Sequence, residues 1–205
     1  MNYLGHLFLA KTVGPQKVGP LMAGAFLGDF VKGKMTGERP STIETGIKFH
    51  RAVDAFVDSH PVQRQSIDRF QPHFRRYGGI ICDVVYDHFL ANHWSTFSDQ
   101  DFIQFCEGAY AAILSERPHL GSSATETITR MQQYASLENY RSETYISRSL
   151  LHIGQRLKRA NPMDQSFAEY LAHQTELEQD FLAFMPSLEV FAEDWLHANA
   201  EPQRN

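Results

Sequence analysis

Cysteine is scarce in this chain: only Cys82 and Cys106 occur among its 205 residues. Both lie in apolar stretches with no repeated spacing, which excludes a disulfide framework and points to buried thiols in a reducing compartment. Long apolar runs are missing as well. None approaches the ~20 residues that span a bilayer. The start Met1-Asn2-Tyr3-Leu4-Gly5-His6-Leu7 lacks the basic opening of a signal peptide, so the chain is expected in the cytoplasm. Positive charge is not in excess; a formal net charge of -5 argues against a general nucleic-acid binder. Gly24-Ala25-Phe26-Leu27-Gly28-Asp29 lacks the Lys-Ser/Thr ending of a phosphate loop, and no serine sits in a nucleophile elbow. No segment keeps up a two-residue alternation, and there is no repeat or low-complexity stretch. The expected fold is all-α.

What is present suits a single-domain helical bundle. A hydrophobic share of 42% and a charged share of 21% fit one globular unit over residues 1–200, with 201–205 as a loose tail. The stretch from Cys82 to Trp94 reads as a helix apolar on most sides, yet it holds Asp83 and Asp87 one turn apart, with His88 beside them. A buried carboxylate must be paired or bind a metal, so these acids meet either a cation, a neighbouring arginine or a helix N-terminus.

Other helices carry similar groups. Asn2 caps a short apolar helix that holds His6. Gly14-Pro15 breaks the chain, and Pro20 opens a second helix reaching about Phe30, in which Gly24 and Gly28 permit close backbone approach. Asp29 sits at its C-terminal end, where the helix dipole disfavours an acid. Ser41-Thr42-Ile43-Glu44 is a capping box that starts a helix running to about Ser59. On it His50 and Asp54 lie one turn apart, with Arg51 adjacent and able to meet an anion or to pair with Asp54 or Asp58. His60-Pro61 then restarts the chain into a basic helical stretch bearing Arg64, Arg69, Arg75 and Arg76. Ser98 is expected to cap a later helix whose inward face holds Phe102, Phe105, Cys106 and Ile113. A further helix spans about Glu143–Arg159 and ends in the cluster Arg156, Lys158 and Arg159.

Asp29, the pair His50 and Asp54, and the trio Asp83, Asp87 and His88 are therefore candidate hard donors on facing helices of a bundle. Mixed imidazole and carboxylate ligands suit Mn²⁺, Fe²⁺ or Mg²⁺ better than structural zinc, and such a metal favours phosphoester hydrolysis.

Four segments in order, Met1–Leu7, Gly28-Asp29-Phe30, Gly46–Asp54 and Asp83–Leu90, are similar to the acyl carrier protein phosphodiesterase family. The resemblance implies an all-helical fold related to the HD-domain phosphohydrolases and a divalent metal, usually manganese. It implies hydrolysis of the 4′-phosphopantetheine group from holo-acyl carrier protein, an acidic protein partner. Asp29, His50, Asp54, Asp87 and His88 match its metal positions, with Asp83 as a further ligand candidate, although an adjacent His-Asp doublet is replaced here by the reversed Asp87-His88. His6 is expected to orient a ligand or act as general acid, Arg51 to hold the phosphate, and His88 to take part in the chemistry. Arg64, Arg69, Arg75 and Arg76, with Lys32, Lys34 and Arg39, form the expected docking surface, and Arg156, Lys158 and Arg159 a rival one. The competing readings are a metal-dependent phosphohydrolase of a small phosphoester or nucleotide, and a non-catalytic helical binding module.

Overall fold

The computed structural model describes residues 1–11 and 15–199, and every regular element among them is helical. The first half comprises α1 (Tyr3–Ala10), α2 (Pro15–Leu27), α3 (Ser41–Ser59), α4 (Pro61–Arg69) and α5 (Gly78–Asn92), with a 3-10 turn at Arg75–Tyr77. The second comprises α6 (Trp94–Phe97), α7 (Phe102–Ser115), α8 (Arg117–Leu120), α9 (Ser122–Gln133), α10 (Glu143–Arg156), α11 (Ser166–Ala172) and α12 (Gln174–Asn199). A second 3-10 turn, Glu138–Arg141, precedes α10. The expected all-α class is the observed one. Among the described residues no helix is long and apolar enough to cross a membrane. Cys82 and Cys106 are free and buried.

α5 is the hub. Buried Val84, Val85, Tyr86, Phe89 and Leu90 cover several of its sides, and α1, α4, α10, α11, α12 and the second 3-10 turn all pack against it. A helix with no single polar face cannot sit at a surface, so it takes the middle of the bundle.

The other organising contact is α2 against α3. A Cβ on Gly24 would strike the Ile43 carbonyl oxygen and lie 2.7 Å from Gly46 Cα, and one on Gly46 would strike the Leu21 carbonyl. The two backbones meet there because neither position has a side chain.

Several boundaries differ from the sequence expectation. α2 begins at Pro15 and runs through Pro20, which removes one backbone hydrogen bond near the helix start; packing on α1, α3 and α7 offsets that loss. Gly14, the other half of the expected break, lies outside the described residues, as does the tail 201–205. α3 has the expected ends, but Ser41 makes no cap bond; Glu44 instead accepts the Gly37 N–H at 2.9 Å. The helix after His60 stops at Arg69, which leaves Arg75 and Arg76 of the expected basic helical stretch in the 3-10 turn. The helix expected from Ser98 is capped by Asp101, which accepts from the Gln104 N–H at 3.0 Å. Its inward residues Phe102, Phe105, Cys106 and Ile113 are all buried as expected.

Candidate metal centre

Three chain segments converge on one point: α1 through His6, α3 through His50 and Asp54, and the turn after α2 through Asp29. The His6 and His50 rings stack with centroids 3.8 Å apart and planes 16° from parallel. Asp54 faces both. Its Oδ1 lies 3.1 Å from His6 Nε2 and its Oδ2 lies 3.1 Å from His50 Nε2. Asp29 Oδ1 stands 3.8 Å from the same His50 nitrogen.

Local structure fixes His50. The Ala25 carbonyl, left open where α2 ends, accepts a hydrogen bond from His50 Nδ1 at 2.8 Å. A carbonyl only accepts, so Nδ1 carries the proton and the Nε2 lone pair faces the carboxylates. Gly28 allows this, because a Cβ there would collide with the His50 ring.

Two stacked imidazoles and a carboxylate are a poor arrangement without a cation. Both ring nitrogens of His6 are buried without a hydrogen-bond partner, Nε2 included, since its approach to Asp54 lacks hydrogen-bond alignment. Burial, reinforced by His50, lowers the His6 pKa to about 4. Burial raises Asp29. Neutral imidazole lone pairs beside an ionised carboxylate are the state a divalent metal requires. His6, His50 and Asp54 offer ligand atoms all within 4.8 Å of one another, and these residues fit such an ion.

The site opens into a cavity of about 420 Å³ lined by Asp29, His50, Asp54, Asp58, Asp83 and Arg156, among others. The other candidates from the sequence lie elsewhere or are already engaged. Asp83 lines the cavity, but its Oδ1 holds the Met1 amino nitrogen at 2.8 Å. Asp87 does not join the cluster. Its buried carboxylate accepts the N–H groups of Asn2 at 3.2 Å, Leu4 at 2.7 Å and Gly5 at 3.1 Å, so it satisfies the N-terminus of α1. His88 points to another side of α5, where Nδ1 donates to the Tyr140 carbonyl at 2.6 Å. Adjacent helical residues point about 100° apart, so Asp87 and His88 cannot share one target. Arg51 donates to the Val31 carbonyl at 2.8 Å and does not line the cavity. The guanidinium that does is Arg156, which sequence reading placed only in a rival patch.

A sequence profile of the acyl carrier protein phosphodiesterase family matches residues 1–188. The chain belongs to this family. Known proteins named acyl carrier protein phosphodiesterase include one from Enterobacter sp. (strain 638), 30% identical over 198 residues that cover 95% of this chain and 98% of that one. One from Klebsiella pneumoniae subsp. pneumoniae is 31% identical over 202 residues, covering 95% and 98%. One from Yersinia pestis is 32% identical over 189 residues, covering 92% and 95%. No solved structure matches the chain. The match extends well past the N-terminal motifs, and so takes in α10 and Arg156 as well as the histidine cluster.

Proposed function

We propose that this chain is a divalent-metal-dependent phosphodiesterase that releases 4′-phosphopantetheine from holo-acyl carrier protein. The observation that carries the reading is the unpaired, buried His6 stacked on His50 over Asp54, in a member of a family named for phosphodiester cleavage. His6 Nε2, His50 Nε2 and the Asp54 carboxylate would hold the ion, with Asp29 within reach on the cavity side. Manganese is the ion we assign, because imidazole and carboxylate donors without a thiolate suit it. When bound, a divalent ion lowers the pKa of water and neutralises phosphate charge.

The chain's own residues prepare the rest. Ala25 and Gly28 hold the His50 ring in one tautomer and one place. Arg156 lines the same cavity and supplies the positive charge for the phosphodiester oxygens. In the net reaction the hydroxyl of water joins phosphorus, the bond from phosphorus to the carrier serine oxygen breaks, and that oxygen takes the remaining proton. Lys158 and Arg159 follow Arg156 just past the end of α10, and this cluster would give an acidic carrier a basic approach. We place the enzyme in the cytoplasm, where its free thiols would stay reduced.

The test is the mass of a holo-carrier incubated with protein purified without chelator. Loss of the phosphopantetheine mass with Mn²⁺, its arrest by EDTA, and a fall of at least about a hundredfold in His50→Ala are expected. Full release in EDTA would refute the metal. Cleavage of small phosphoesters with an untouched carrier would move the substrate to a small molecule.

A further inference from the structure

A second depression, of about 570 Å³, runs along α10 beside the cavity just described. Its walls include Tyr134, Tyr140, Tyr145, Ser149 and Gln155. Asn2, Tyr3, Ile153 and Arg156 line both spaces, so the two adjoin along these residues. We infer that this groove receives the pantetheine arm of the carrier, with Arg156 at the phosphate end. The inference rests on the proposed function and assigns its substrate a place.

Charge separates the two compartments. The metal end is walled by Asp29, Asp54, Asp58 and Asp83, whereas no carboxylate lines the groove, whose charged side chains are Arg130 and Arg156. A phosphate entering from the groove meets a guanidinium before it meets the acids. Among the described residues no carboxylate forms an ion pair with Arg156, so its charge is available to a ligand. Beyond its phosphate the arm is uncharged, with a branched apolar segment, a hydroxyl and two amides. Such a chain wants apolar surface interrupted by hydrogen-bonding groups, which tyrosine rings alternating with Ser149, Gln155 and Asn2 provide. The volume lies within the range of small-ligand sites, roughly 300–1,000 Å³.

The rim is also built with some strain. Tyr134 is 62% exposed, and the next residue, Ala135, has φ +47°, a left-handed conformation a non-glycine residue adopts at a cost. Ser136 N–H donates to the Met131 carbonyl at 2.8 Å and closes that turn, which fixes Tyr134 and Ser136 at the groove edge.

The experiment measures binding of free 4′-phosphopantetheine to the whole protein by calorimetry, for wild type, Tyr134→Ala and Ser149→Trp. Tyr134 is exposed, so its truncation leaves the core intact; a thermal melt checks the bulkier Ser149 variant. Each change should weaken binding about tenfold. The ratio of holo-carrier turnover to hydrolysis of bis(p-nitrophenyl) phosphate, a diester without the arm, should fall by a similar factor. Binding equal to wild type in both variants would overturn the groove, and active enzyme in that same experiment would leave the proposed function standing. Binding lost in the variants, with no release of the arm from the carrier by wild type, would keep the groove and overturn the function.

Discussion

Gly28 and Asp87 show how single residues set this site without touching a substrate. A methyl group at Gly28 would occupy the space of the His50 ring, whose Nδ1 is tied to Ala25. Gly28→Ala should therefore swing His50 away from Asp54 and weaken metal binding about ten- to a hundredfold, as loss of an orienting contact does elsewhere. Mn²⁺ affinity by calorimetry checks this, and an unchanged affinity would mean the ring has room to yield. Asp87 acts on stability. Burial raises its carboxyl from 3.8 to about 7, against the lowering effect of the Met1 amino group and the N–H groups of Leu4 and Gly5. The folded protein thus binds a proton the unfolded chain releases between those values. Its contribution to stability is full below pH 3.8 and is lost as pH rises through about 7. Denaturation of wild type at pH 5 and pH 8 should show a loss that Asp87→Asn lacks; parallel behaviour would contradict it.

At the scale of elements, the helices were readable because apolar spacing reports which face is buried, and that face is the same whatever it packs on. Thus the ends of α3, the inward face of α7 and the one-turn pairing of His50 with Asp54 were all visible in sequence. The His6–His50 stack was not, since it depends on how α1 crosses α3 and on Gly28 giving the ring room. Nor does a local pattern tell a cation from a helix N-terminus as the partner of a buried acid. Both were open for Asp87, and α1 took the second. Within the basic stretch, Arg69 is already engaged inside the fold. Arg69 Nε and Nη2 bind Asp180 of α12 at 2.7 and 2.8 Å, joined there by Gln65 and by Ser66. Arg69 therefore ties two helices together. Arg69→Ala, leaving a buried carboxylate with less compensation, should cost about 3 kcal/mol in chemical denaturation. It should lower carrier and small-diester hydrolysis by the same factor, whereas a selective loss on the carrier would restore it to a docking role.

For the molecule as a whole, helices remote in sequence converge so that the His6, His50 and Asp54 cluster opens into one cavity and the side of α10 holds a groove without carboxylates. The position of Arg156 at their junction depends on α10 lying against α5, a contact between segments far apart in the chain that no local periodicity encodes. The central claim is that His6, His50 and Asp54 form the metal site and that Asp87 and His88 do not. Electron paramagnetic resonance of Mn²⁺ added to metal-stripped protein tests it most directly, because the six-line signal of the free ion disappears on binding. Wild type and His88→Ala should each take up one tightly bound ion per chain, and His50→Ala and Asp54→Ala should leave the free-ion signal at full height. Retained binding in Asp54→Ala, or binding lost in His88→Ala, would contradict the account.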